Sequence, residues 1–183
     1  MKSLKGQLIL DGGKLAGSEF HQTVVLICEH DAEGAFGLVL NRRGSKKVGD
    51  VLAHLSPDTV RRLSLYLGGP VRPQVLSCLI HEAMMDETME DVVMPGLRIA
   101  HSLDELVESE FPVEARFKFF AGYSGWGPGQ LDNEMKEDAW LTHPASIELV
   151  FDPEPEDLWR RILRSKGPEY RLLAELPGDV SNN

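Results

Sequence analysis

The chain predicts an α+β domain: a mixed, mostly antiparallel and partly barrel-like sheet flanked by short helices. Three observations carry this expectation. Short β-branched or apolar runs recur through the first half, helical periods are confined to short stretches, and the two mix without the strict alternation of a doubly wound fold. At 183 residues, 42% hydrophobic and 26% charged, the composition is that of a soluble globular protein. A chain of this length buries roughly 70% of its unfolded surface, so it needs neither disulfide nor metal to be stable. Residues 1–176 read as a single domain and 177–183 as a fraying tail.

The first strands are "QLIL" (Gln7–Leu10), "TVVLICE" (Thr23–Glu29) and "FGLVLN" (Phe36–Asn41). The last two flank the polar loop "HDAEGA", where Gly34 suits a positive φ, so they form a hairpin. Apolar residues at both parities mean that both sheet faces are covered. "NRRGSKK" follows as a solvated basic loop. In "KVGDVLAHLSPDTVRRL", Val51, Leu52 and Leu55 share a helical face, and Ser56 caps a second short helix that begins at Pro57. "LYLGGPV" returns to a strand and turn, and "VLSCLI" (Val75–Ile80) is another strand. "HEAMMDETMEDVVMPG" reads as a loop with at most one helical turn, and "LRIA" as a short strand. "SLDELVES" opens on a capping box, Ser102 with Glu105. A strand over "ARFKFFAGY" ends near Tyr123 and a helix starts near Gln130, with Leu131 and Met135 at i,i+4. "IELVF" (Ile147–Phe151) reads as a late strand. "DPEPEDLWRRILRSKG" is the clearest helix, burying Leu158, Trp159, Ile162 and Leu163, with acids first and bases last.

Charge and cysteine usage narrow the function classes. The formal net charge is −10, which opposes phosphate backbones. Direct nucleic-acid binding is therefore not expected, and "SPDTVRRL" is the one faint recognition-helix candidate. Cys28 and Cys78 read as buried free thiols in a reducing compartment. "MKSLKGQLIL" lacks the apolar core of a signal peptide, and "VVLIC" is too short for a bilayer. A cytoplasmic protein with no membrane association is the expectation.

The glycine-rich stretch "GYSGWGPGQL" (Gly122–Leu131) is the chain's most specific motif. A nucleophile elbow requires glycine where Trp126 stands, a P-loop lysine is missing, and Gly125, Gly127 and Gly129 give G-x-G-x-G instead of a dinucleotide fingerprint. A strand-to-helix turn remains, using glycine's freedom and anchored by Tyr123 and Trp126. Trp126→Ala and Gly127→Ala should then each lower thermal stability. The alternative is a ligand cleft beside the turn, with Glu29, His30, Tyr123, Ser124, Gly125, Trp126, Gly127 and Gly129 as the candidate residues. Cys28 with His30, and Cys78 with His81, could be imagined as a Cys₂His₂ zinc site, but neither pair has a C-x₂-C knuckle. No metal, cofactor or catalytic residue is expected. The acids Glu82, Asp86, Glu87, Glu90 and Asp91 read as a solvated face.

"VVLICEHDAEGAFGLVLNR", "GGPV", "GYSGWGPGQLDNEMKEDAWL" and the "LWRRIL" helix together resemble the YqgE/AlgH family of bacterial proteins, over roughly Leu4 to Leu173. The resemblance implies one α/β domain with a partly barrel-like sheet, and a family label of transcriptional regulator by association with alginate regulation. It carries over no catalytic residues. Near the start, "LILDGGKLAGSEFHQTVVL" departs from the family's proline-bearing pattern, and Arg43 stands where a proline often follows "LNR"; both affect local turns. The leading expectation is a non-catalytic binding or regulatory protein with a protein or small-molecule partner. The alternatives are an enzyme or small-molecule binder using a cleft at Gly122–Gln130, and a transcriptional regulator.

Overall fold

Ten strands form one open sheet in the computed structural model, which describes residues 2–53, 58–101 and 114–177. The strands are β1 (Gln7–Asp11), β2 (Val24–Asp31), β3 (Gly34–Val39), β4 (Arg43–Lys47), β5 (Ser64–Leu67), β6 (Val71–His81), β7 (Val92–Met94), β8 (Leu97–Ala100), β9 (Arg116–Trp126) and β10 (Trp140–Pro144). The main path runs β10-β1-β2-β3-β9-β6-β8-β7, with β4 on β5 and β5 on β9. All pairs are antiparallel except β5 with β9. The architecture is α+β, with short helices on the faces.

Apolar residues at both parities of β1, β2 and β3 build cores on both faces. Leu8, Leu10, Leu26, Leu38 and Phe120 lie under the helix α5 (Leu158–Lys166), which buries Leu158, Trp159, Ile162 and Leu163. Ile9, Val25, Ile27 and Val39 pack with Trp126, Trp140 and Leu131 of α3 (Gln130–Lys136). A third cluster holds Phe119, Ile80 and Leu65 beneath the single turns α1 (Val48–Val51) and α2 (Asp58–Arg61). Cys28 and Cys78 are buried and free, each in a different cluster.

Several elements differ from the sequence reading. The β2–β3 hairpin closes through only Ala32 and Glu33, because Asp31 pairs directly with Gly34 and its Oδ1 accepts the Glu33 N–H at 2.8 Å. The basic loop is the exposed strand β4. β9 runs on to Trp126, because Ser124 to Trp126 pair with β3. Trp140–Pro144 is an additional edge strand on β1. "IELV" is the one-turn helix α4 (Ile147–Val150), because the Ser146 Oγ caps it by accepting the Leu149 N–H at 3.3 Å. Glu156 and Asp157, acids at the start of the clear late helix, sit in a 3₁₀ turn, Pro155–Asp157. A second such turn, Pro168–Tyr170, leads into α6 (Arg171–Ala174). The Ser102 capping box, the Ser56–Pro57 cap and the last six residues of the tail lie outside the described residues. Among the described residues no helix is long and apolar enough to cross a membrane.

Candidate functional site

β9 is the seam of the sheet. One edge takes β6 along most of its length; the other takes β5 at Phe119–Ala121 and β3 at Ser124–Trp126. The "GGP" turn crosses between β5 and β3. Gly68 donates its N–H to Ala121 O at 3.0 Å and accepts from the Val39 N–H at 2.9 Å and the buried Ser124 Oγ at 3.1 Å. Such close backbone approach excludes side chains. Gly122 has φ 69°, and a Cβ there would stand 2.6 Å from Gly69 O. The two glycine motifs lock each other, which explains why both occur.

Beyond the seam, the turn is held by polar groups of its own. Glu134 Oε2 accepts both the Trp126 and the Trp140 indole N–H, at 2.9 and 2.8 Å, while its Oε1 accepts from Gln130 at 2.8 Å. Gly129 takes φ 69° at the start of α3. Gly127 is different: among the described residues, a Cβ there would meet nothing within 4 Å. The other candidates scatter around this turn. His30 is buried, its Nδ1 accepting the Leu4 N–H at 3.1 Å and its Nε2 lying 3.6 Å from Asp132. Tyr123 is half-buried against Phe36, with ring centroids 4.9 Å apart, and Gly125 is exposed. Glu29 is exposed, 3.9 Å from His101 Nε2.

A concavity lies at the other end of β9. It is a cleft of about 730 Å³ whose lining includes Arg43, Arg62, Tyr66, Arg116, Phe117, Lys118, Phe151 and Asp152, a volume suited to a small-molecule ligand. Strand alternation places Lys118 on the face of Phe120, so its ammonium is carried inward and is only 4% exposed. Nζ donates to Leu40 O and Val150 O, both at 3.0 Å, and sits 4.1 Å from the Tyr66 ring centroid. Burial pushes its pKa down to about 7, with Asp152 opposing and Arg43 assisting. Burial also raises the Tyr66 phenol. Burial disfavours charge on Asp152, yet the hydrogen bond from Arg161, at 2.6 Å, keeps its carboxyl below the usual range.

Three arginines complete the cleft. Arg43 reaches Glu156 at 3.0 Å and donates to Pro153 O at 3.2 Å. Arg116 lies 4.6 Å over the Phe151 ring and donates to Phe151 O at 3.1 Å. Arg62 has no side-chain partner among the described residues. Sequence reasoning missed this site. The available signal was a lysine in "ARFKFF" sharing parity with Phe120 on a strand with both faces covered.

The AlgH-like family model matches residues 8–171. A UPF0301 protein of Chlorobaculum parvum is 37% identical, over 94% of this chain and 94% of its own length. A UPF0301 protein of Rhodococcus opacus is 35% identical, over 97% and 90%. The solution structure of the AlgH protein from Pseudomonas aeruginosa superposes with TM-score 0.72 at 28% identity, over 98% of this chain and all of that one. A Corynebacterium diphtheriae crystal structure gives TM-score 0.74 at 23% identity, over 96% and 94%, a likeness of fold.

Proposed function

This chain belongs to the AlgH-like family, and from that premise we propose that it is a non-catalytic binding protein for a small anionic ligand held in the Lys118 cleft. One observation carries the reading. A chain of net charge −10 gathers Arg43, Arg62, Arg116 and Lys118 around a single cleft. Clustered cations with apolar walls are the usual means of holding a carboxylate or phosphate out of bulk water. The aromatic rings of Tyr66, Phe117 and Phe151 supply those walls. A cytoplasmic site of action is supported by two buried free thiols. A regulatory role follows if ligand occupancy alters a partner surface; the acidic charge counts against DNA as that partner.

A second reading puts a protein partner on the turn around Gly125 and Gly127. Gly127 favours it, because no described residue lies within 4 Å of where a side chain would stand there. Glu29 and Tyr123 would border that surface, and the buried His30, Ser124 and Trp126 with Gly129 would support it.

Calorimetric titration with oxalate at fixed ionic strength tests the first reading. One site per chain is expected, weakened about tenfold in Arg62→Ala/Arg116→Ala. Absence of heat, or an affinity unchanged by the double variant, contradicts it.

A further inference from the structure

The cationic cleft also contains an acid. Asp152 lines it with a side chain only 9% exposed. Its Oδ1 accepts the Arg161 Nη2–H at 2.6 Å and the Glu154 N–H at 2.9 Å. Among the described residues, Oδ2 accepts no hydrogen bond. The Arg161 pairing keeps the group ionised, and an ionised carboxylate can only accept. A bare anion seated on the arginines would therefore leave a buried acceptor unpaired and would meet its charge. A ligand that suits the whole cleft carries an acid at one end and a hydrogen-bond donor at the other.

The surroundings of Asp152 decide which donor. Arg161 holds it, and Lys118 lies within Coulombic reach. An ammonium would meet both cations, whereas a hydroxyl donates without bringing charge. Hydroxyl to carboxylate is among the strong, charge-assisted hydrogen bonds. Lys118 itself has no N–H to spare, since Leu40 O, Val150 O and the Tyr66 ring face take its three directions. Anchorage of the acid falls to Arg62, which has no side-chain partner among the described residues, and to Arg116. A volume of about 730 Å³ leaves room for a ring besides the acid, and Tyr66 and Phe151 offer flat walls to the C–H face of a sugar.

We propose that the cleft recognises a sugar phosphate, with the phosphate on Arg62 and Arg116 and a sugar hydroxyl donating to Asp152 Oδ2. This inference rests on the anion-site reading and names its ligand class. The same unit occurs free and within a nucleotide.

The test is calorimetric titration of the full chain at pH 7 and fixed ionic strength with ribose 5-phosphate and with pentyl phosphate, two phosphate monoesters of matched charge. They share five carbons and differ in their hydroxyls. Ribose 5-phosphate is expected to bind about tenfold tighter or more, because a site built to bond a hydroxyl rejects the analogue lacking it. Asp152→Asn keeps an oxygen for Arg161 and puts an amide N–H₂ where Oδ2 stood. It should cut that preference to about twofold or less, with pentyl phosphate bound as tightly as before or tighter, because a negative charge has left the cleft. Equal affinity for the two ligands in the parent overturns the proposal, whether or not the variant folds, and leaves the anion site standing. Equal weakening of both in Asp152→Asn also overturns it, since a merely structural role would produce that result. Absence of heat from either ligand overturns both readings. Adenosine 5′-monophosphate separates the two sources: a further gain of about tenfold assigns the aromatic walls to a base, and no gain assigns the cleft to the free sugar phosphate.

Discussion

Gly122 and Gly127 sit five residues apart in one motif and do different things. Gly122→Ala forces a side chain into a left-handed conformation and against Gly69 O, and should cost about 1–3 kcal/mol, read as a lower thermal midpoint. Gly127→Ala enters open space at an ordinary φ and should melt within about 0.5 kcal/mol of the parent. The sequence marked a turn that needs glycine but indicated Gly127, because spacing along a chain cannot show which glycine another backbone crosses. Trp126 was legible as an anchor, whereas its partner was not. That partner is Glu134, the shared acceptor of two nearly buried indoles. Glu134→Ala strands both donors and should cost about 2 kcal/mol or more in chemical denaturation. A loss under about 0.5 kcal/mol would show that the indoles find other partners.

Among the elements, the strands with β-branched runs and the late amphipathic helix were readable because local pattern and tertiary burial agree. "IELVF" misled because its apolar run suits either state, and the Ser146 cap decides for a helical turn. That choice matters for the cleft, since Val150 O at the end of α4 is one of the two acceptors of Lys118 on β9. The other, Leu40 O, lies one residue beyond β3, so a single ammonium ties three elements. Its titration gives a signed expectation. Below pH 7 the lysine is charged in both the folded and unfolded chain, and its burial cost is fully present. Between about 7 and the ordinary 10.5 the folded chain has lost the proton and the unfolded chain has kept it, so stability rises with pH. The rise is on the order of a few kcal/mol, tempered by the carbonyls and the Tyr66 ring that favour the charged form. Urea midpoints from pH 7 to 10 should show a steeper increase in the parent than in Lys118→Met. Parallel slopes would mean that Lys118 stays charged throughout.

At the scale of the whole molecule, the acidic total concealed a local inversion of charge. Arg43, Arg62, Arg116 and Lys118 come from separate segments, and only the parallel β5–β9 pairing and the return of the chain after α4 bring them to one cleft. No short motif encodes that meeting, whereas the glycine motif that identifies the family is contiguous and readable. The fold therefore has two distinct features at opposite ends of β9: a locked glycine seam and a cationic cleft. The central claim is that ligand chemistry belongs to the second. Chemical-shift mapping of the full chain titrated with oxalate at constant ionic strength tests it most directly. The account predicts perturbations centred on Leu40, Tyr66, Arg116, Lys118 and Val150. Perturbations centred on Gly125–Gly129, or scattered over the surface lysines, would contradict it.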